Sequence, residues 1–186
     1  MDKVIYLTTN KGKFEEAERL FKKYGIDIEI ATPDFEIPEI QAKTCGEVVA
    51  FSCKYMAEKL GRPCVKSDSG LYLECLGGLP GPYNHDFDHS IGVEHFLELI
   101  KNETNRKARL EDTFAYCEPG KEPVVFEGLT KGRIDVKKSG TYGWSWDFIF
   151  IPEGEDKPLG CFPDEERWNF WSVEAYQKLA KYLDTK

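Results

Sequence analysis

The sequence predicts a mixed α/β fold on three observations: a short apolar strand running into an amphipathic helix near the amino terminus, a β-rich second half, and a closing amphipathic helix. Val4 to Leu7 is apolar and β-branched at its start, and Thr8-Thr9-Asn10 forms a polar turn after it. From Lys11 to Tyr24 the residues Phe14, Ala17, Leu20 and Phe21 recur at helical spacing, and Gly25 supplies a C-cap. Asp27 to Ala31 alternates as a second strand, and Pro33 and Pro38 bound an extended connector.

Gly46 to Leu60 is again helical, stopped by Gly61 and Pro63. Cys64-Val65-Lys66 and Leu71-Tyr72-Leu73 read as two strands flanking a turn at Ser67-Asp68-Ser69-Gly70. The Gly and Pro density of Leu76 to Tyr83 predicts a loop, after which Ser90 caps a helix carrying Val93, Phe96, Leu97 and Ile100. Strands are expected at Ala108–Tyr116, Val124–Thr130, Gly132–Val136 and Asp147–Ile151, then a loop from Pro152 to Trp171. The last helix, Ser172 to Leu183, is apolar at Ala175, Tyr176, Leu179, Ala180 and Leu183.

With 186 residues, 41% of them hydrophobic, the chain can bury one sizeable core or two small lobes, and residues 1–186 are read as a single domain. A net charge of -8 argues against nucleic acid as a partner, because a polyanion needs clustered Lys and Arg to displace its counterions. The six cysteines are scattered without a CxxC pair, so they read as buried thiols of a reducing compartment. No apolar run approaches the roughly 18 residues of a membrane span. The expected location is cytoplasmic.

Two groups of residues point to chemistry. Thr8-Thr9-Asn10-Lys11-Gly12-Lys13 lies where a strand ends and a helix begins, so free N–H groups and the positive end of the helix dipole meet a mobile cation, which suits phosphate. Glu39, Glu47 and Asp68 are hard oxygen donors on separate elements, the set that magnesium on a triphosphate requires; one of them could also activate a water. Alone, both groups are matched by ordinary alternatives, an N-cap and solvated acids. His85-Asp86-Phe87-Asp88-His89 has the i, i+4 spacing of a metal pair but reads as a solvated loop. Trp144, Trp146, Trp168, Phe170 and Trp171 form a stacking platform or partner patch, or else fill a core.

What links these residues is a resemblance, over nearly the whole chain, to the inosine/xanthosine triphosphate pyrophosphatases. Thr8 to Lys13 is similar to that family's T-x-N-x-x-K motif, Pro38 to Gln41 to its P-E-x-Q, and Ser67 to Leu71 to its acidic D-S-G-L segment. Leu76 to Tyr83 resembles its signature loop; Phe126-Glu127-Gly128, Gly132-Arg133-Ile134 and Trp146-Asp147 with Phe150 and Pro152 keep its order and spacing. The resemblance implies an elongated mixed sheet with flanking helices, two lobes around a central nucleotide cleft, a homodimer, Mg2+ dependence, and hydrolysis of non-standard purine triphosphates to monophosphate and pyrophosphate. By position, Asp68 and Lys13 would be catalytic. Thr8, Asn10, Lys13, Ser69, Gly70, Trp146 and Asp147 would bind substrate, and Glu39 and Asp68 would hold the metal.

Some positions depart from the family. A second acid precedes the aspartate there, and this chain has Ser67; a lysine sits sixteen positions before it, where this chain has Ser52. Lys54 is close by in sequence, but two helical residues rotate by about 200° to another face. Loss of one such electrostatic group lowers a rate by about two to three orders of magnitude. Phe170-Trp171-Ser172 replaces the family's Ser-His-Arg, Glu166-Arg167 its Lys-Asn, and Ser145 and Phe148 the glycine and proline beside the aromatic–Asp pair. The reading is a purine nucleoside triphosphate-binding protein with impaired hydrolysis. It would act as a sensor or regulatory subunit with a protein partner, as in anti-phage systems such as Kongming that respond to deoxyinosine triphosphate. An active pyrophosphatase is the alternative.

Overall fold

A computed structural model describes residues 4–8, 11–26, 28–31 and 36–186. In chain order the elements are β1 (Val4–Leu7), α1 (Lys11–Lys23), β2 (Ile28–Ala31), α2 (Cys45–Leu60), β3 (Cys64–Leu73), β4 (Pro80–Gly81), α3 (Asn84–Ser90), α4 (Gly92–Leu99), β5 (Lys107–Cys117), β6 (Val124–Ile134), β7 (Phe150–Pro152), α5 (Asp164–Arg167) and α6 (Glu174–Leu183). The mixed α/β class is as expected. The sheet order is β2-β1-β3-β5-β6-β7, with β4 paired to β3. β1 runs parallel to β2 and β3, while the β3–β4 and β6–β7 pairs are antiparallel. Among the described residues no helix is long and apolar enough to cross a membrane.

The chain divides into two compact units. The first comprises segments 1–68, 112–128 and 173–186. Its sheet strands carry apolar residues on both faces, as buried parallel strands do. On one side Tyr6, Ala17, Phe21, Phe114, Tyr176 and Leu179 pack together; on the other Ile5, Leu7, Val49, Cys53, Met56 and Cys64. Tyr6, Phe21, Phe114 and Tyr176 meet at ring-centroid distances of 4.5 to 6.3 Å, mostly edge to face, which adds to the stabilisation from burial alone. Gly25, at φ +73°, ends α1 as expected, and the Ile26 N–H returns to the Phe21 carbonyl at 2.8 Å.

The second unit comprises segments 69–111 and 129–172, with Leu71, Leu73, Phe96, Ile100, Ile134, Trp146, Ile149, Phe150 and Leu159 at its centre. Of the cysteines, Cys45, Cys53, Cys64 and Cys117 are buried in the first unit and Cys75 and Cys161 are half-buried in the second; all six are free thiols. The Cys53 and Cys64 sulfurs stand 3.7 Å apart.

Several elements differ from the sequence reading. Ser67 to Gly70 is not a turn: β3 runs unbroken through it for 10 residues. Pairing along β3 outweighs the local turn preference of Ser, Asp and Gly, which is a weak prior. Gly70 is there for close approach, since a Cβ on it would lie 2.6 Å from the Gly81 carbonyl oxygen on β4. The Leu76–Tyr83 loop contains that two-residue strand, and α4 is preceded by Ile91 instead of Ser90. The expected strands Val124–Thr130 and Gly132–Val136 are one, β6. Residues Ser145–Phe148 form a 3-10 turn before β7, so Asp147 is not in a strand. His85 and His89 lie on α3, not in a loop. The Pro152–Trp171 loop carries a 3-10 turn at Leu159–Cys161 and the short α5.

Candidate functional site

In the first unit, β3 organises the charged residues. Alternate residues of a strand share a face, so Lys66 and Asp68 project the same way while Ser67 turns inward. Burial agrees: Ser67 is buried between two half-buried neighbours. Lys13, from the first turn of α1, lies 3.2 Å from Asp68 Oδ1, and Lys66 lies 3.1 Å from Glu39 Oε1. β3 thus carries Asp68, paired with Lys13, and Lys66, paired with Glu39. Burial pulls the Lys13 ammonium downward, but Asp68, with Tyr6 and Asp112, outweighs it and raises the pKa above the ordinary lysine value. Lys13 stays charged. Thr8 is buried at the end of β1, and Asn10 lies outside the described residues.

The two departures from the family pattern have definite places. Ser67 shares a hydrogen bond of 2.5 Å with the Tyr6 hydroxyl, in the buried layer. Ser52, fully buried on α2, donates its hydroxyl to the Pro38 carbonyl at 2.6 Å. It fastens the segment that bears Glu39 to the helix. Lys54 pairs with Glu122 instead, so it does not take over the missing cation's place.

Glu47 caps the start of α2. Its Oε2 accepts from the Lys43 and Thr44 backbone N–H groups, each at 3.0 Å, and its own N–H donates to Thr44 Oγ1, a capping box. The Thr44 side-chain and backbone bonds, then the Lys43 bond, lower its pKa.

In the second unit, Ser69 and Gly70 continue β3, Ser69 half-buried and Gly70 buried. Trp146 is buried, edge-on to Phe96 at 4.8 Å. Asp147 is 5% exposed; its Oδ2 accepts from the Trp144 N–H at 3.2 Å and from Arg167 Nη1 at 3.0 Å. Burial pushes the Asp147 pKa up to about 6, against the Trp144 hydrogen bond and the Arg167 charge. Arg167 is 2% exposed, pairs also with Asp164 at 2.9 Å, and has its guanidinium carbon 5.5 Å from the ring centroids of both Trp144 and Trp168. Sequence reasoning treated Arg167 as a mere replacement and missed this pairing. Its signal was an arginine among tryptophans, since a guanidinium tolerates burial only with partners of this kind.

The aromatic cluster divides. Trp146, Phe170 and Trp171 pack with the core of the unit, while Trp144 is 62% exposed. Within one turn, Ser145 Oγ and Trp146 Nε1 are buried without a hydrogen-bond partner among the described residues. Ser145 also holds a left-handed φ of +49°. Buried polar groups are normally paired.

A family model described as the Ham1 family matches residues 4–182. The chain is 42% identical over 181 residues to a protein of Methanopyrus kandleri named dITP/XTP pyrophosphatase, covering 97% of this chain and 95% of that one. It is 36% identical to a protein of the same name from Methanosarcina mazei, over 90% and 89% of the two chains. Among solved structures it resembles the Staphylococcus aureus Ham1 protein, with TM-score 0.83, 25% identity, and coverage of 98% and 99%. It shares the fold of a Coxiella burnetii HAM1 protein, with TM-score 0.86, 21% identity and 100% coverage of both chains. The chain therefore belongs to the Ham1 family, that of the inosine/xanthosine triphosphate pyrophosphatases its motifs resemble.

Proposed function

We propose that the chain binds a purine (deoxy)nucleoside triphosphate, hydrolyses it weakly or not at all, and serves as a nucleotide sensor or regulatory subunit. The observation that carries this reading is the interior use of Ser67 and Ser52. Where the family has an acid and a cation, this chain has neutral hydroxyls committed to Tyr6 and to the Pro38 carbonyl. The retained charges support binding. Asn10 and Lys13 take the phosphates, Trp146 and Asp147 lie against the nucleoside, and Thr8, Ser69 and Gly70 add further substrate contacts. The orphaned Trp146 Nε1 and Ser145 Oγ supply donors for a base.

Magnesium fits this donor set by chemistry, because Glu39 and Asp68 offer hard carboxylate oxygens, each now paired with a lysine. Bound there, the metal would neutralise phosphate charge. Lys13 holds a phosphate oxygen, and Asp68 accepts a proton from an attacking water. The deoxyinosine triphosphate named for the relatives makes it the first ligand to test. A cytoplasmic homodimer, working with a protein partner in anti-phage defence, completes the proposal.

The second reading is an active magnesium-dependent pyrophosphatase. The Lys13–Asp68 pair and the names of the relatives favour it. Incubation with magnesium and a panel of triphosphates, measuring both affinity and pyrophosphate release, separates the two. Saturable binding with negligible release supports the sensor; brisk release that Asp68→Asn abolishes supports the enzyme. Absence of binding to every triphosphate overturns both.

A further inference from the structure

We infer that Asp112 on β5 joins Asp68 as a magnesium-holding carboxylate of the proposed triphosphate site, supplied from the strand beside β3. In the sheet, β5 is the neighbour of β3. The first unit takes β3 only as far as Asp68 and β5 only from Asp112, so the two aspartates stand at one level of adjacent strands. Alternation along the strand fixes the side of the sheet that Asp112 takes. Phe114 and Tyr116 pack with Tyr6, Val65 and the α1 residues Ala17 and Phe21, while Ala115 and Cys117 pack with Cys64 on the other side. Asp112, two residues before Phe114, therefore projects on the α1 side. Ser67, two residues after Val65 and bonded to Tyr6, does the same. Lys13 comes from that helix.

Asp68 is the single acid of β3, and the Ser67 hydroxyl is neutral and committed to Tyr6. A further carboxylate has to come from another strand. Asp112 is half-buried while Glu111 and Thr113 beside it are buried, so it alone of the three is open to solvent. Its charge also reaches the lysine that pairs with Asp68: burial lowers the Lys13 pKa, and Asp68, Tyr6 and Asp112 in turn raise it. Magnesium on a nucleotide is held by one or two carboxylates together with phosphate oxygens and water. Asp68 and Asp112 are two such donors. The inference rests on the proposed triphosphate binding. It concerns binding and not turnover, since Asp112 does not replace the cation absent at Ser52.

The probe is the α,β-methylene analogue of deoxyinosine triphosphate, which resists cleavage between its α and β phosphates, titrated by calorimetry into the full chain with and without Mg2+. Even residues that only support a metal's ligands change its affinity by about 10- to 100-fold. Asp112→Asn should therefore raise the Mg2+ concentration for half-maximal binding by at least about tenfold. Affinity without Mg2+ should not fall, because a negative charge facing the phosphates is gone. A purely structural role would lower both alike. Asp112→Glu should recover part of the loss. In the wild-type chain, Mn2+ added with the analogue in place of Mg2+ should broaden the carboxyl carbon resonances of both Asp68 and Asp112. The inference is overturned if Asp68→Asn shifts the Mg2+ midpoint and Asp112→Asn does not, or if Mn2+ broadens Asp68 alone; triphosphate binding then still stands. Absence of analogue binding to the wild-type chain overturns that binding and the inference with it.

Discussion

Lys13 Nζ stands 3.2 Å from Asp68 Oδ1, joining the first turn of α1 to the middle of β3 across 55 residues of sequence. On the proposed function, a triphosphate arriving there would meet a cation already held by Asp68. Replacement by methionine keeps the stem and removes the charge. A hydrogen bond to a charged group contributes about 1.5 to 3 kcal/mol. Lys13→Met should therefore weaken triphosphate affinity by about 10- to 100-fold, by calorimetry, and monophosphate affinity less.

Arg167 gives a stability prediction. Removing one partner of a buried ion pair leaves an uncompensated charge and costs about 3 to 5 kcal/mol. Arg167→Met should lower the unfolding free energy in urea by that amount, because Asp147 would keep its burial and lose its cation.

Asp147 sets a pH dependence. Its folded pKa is raised to about 6 from 3.8, so the folded chain holds a proton that the unfolded chain has released. The stability contributed by Asp147 is fully present below its unfolded pKa and is lost as pH rises through about 6. Wild-type unfolding curves should show this decline between about pH 4 and 6 relative to Asp147→Asn, which lacks the titration. Carboxyl carbon NMR should place the midpoint near the upper end of that window.

Gly70→Ala tests the close approach of β3 and β4. The new Cβ would sit 2.6 Å from the Gly81 carbonyl oxygen, a backbone atom that cannot swing aside. Overpacking of this kind costs about 1 to 3 kcal/mol, measurable as a lower midpoint of thermal unfolding.

The long periodic segments were legible: α1, α2 and α6 lie within a residue or two of their sequence-read bounds. Periodicity and caps set those elements locally, as at Gly25 and Gly61. The continuity of β3 was not legible, because Ser67-Asp68-Ser69-Gly70 has turn chemistry and its extended form comes from neighbouring strands. Motif resemblance singled out Lys13, Glu39 and Asp68, and in the structure Lys13 pairs with Asp68 while Glu39 pairs with Lys66. It did not reveal that Glu47 caps α2, nor the Arg167–Asp147 pair, since a partner 20 residues away leaves no periodic trace.

The distribution of thiols makes the chain its own probe of opening. The four cysteines of the first unit are sealed, with burial raising Cys117 and the Cys64 hydrogen bond plus burial raising Cys53, whereas Cys75 and Cys161 of the second are partly reachable, although burial also raises Cys75. An alkylating reagent needs access and a thiolate. Native protein should thus label at Cys75 and Cys161 first, and later modification of Cys53 or Cys64 would time the opening of the layer that backs Asp68.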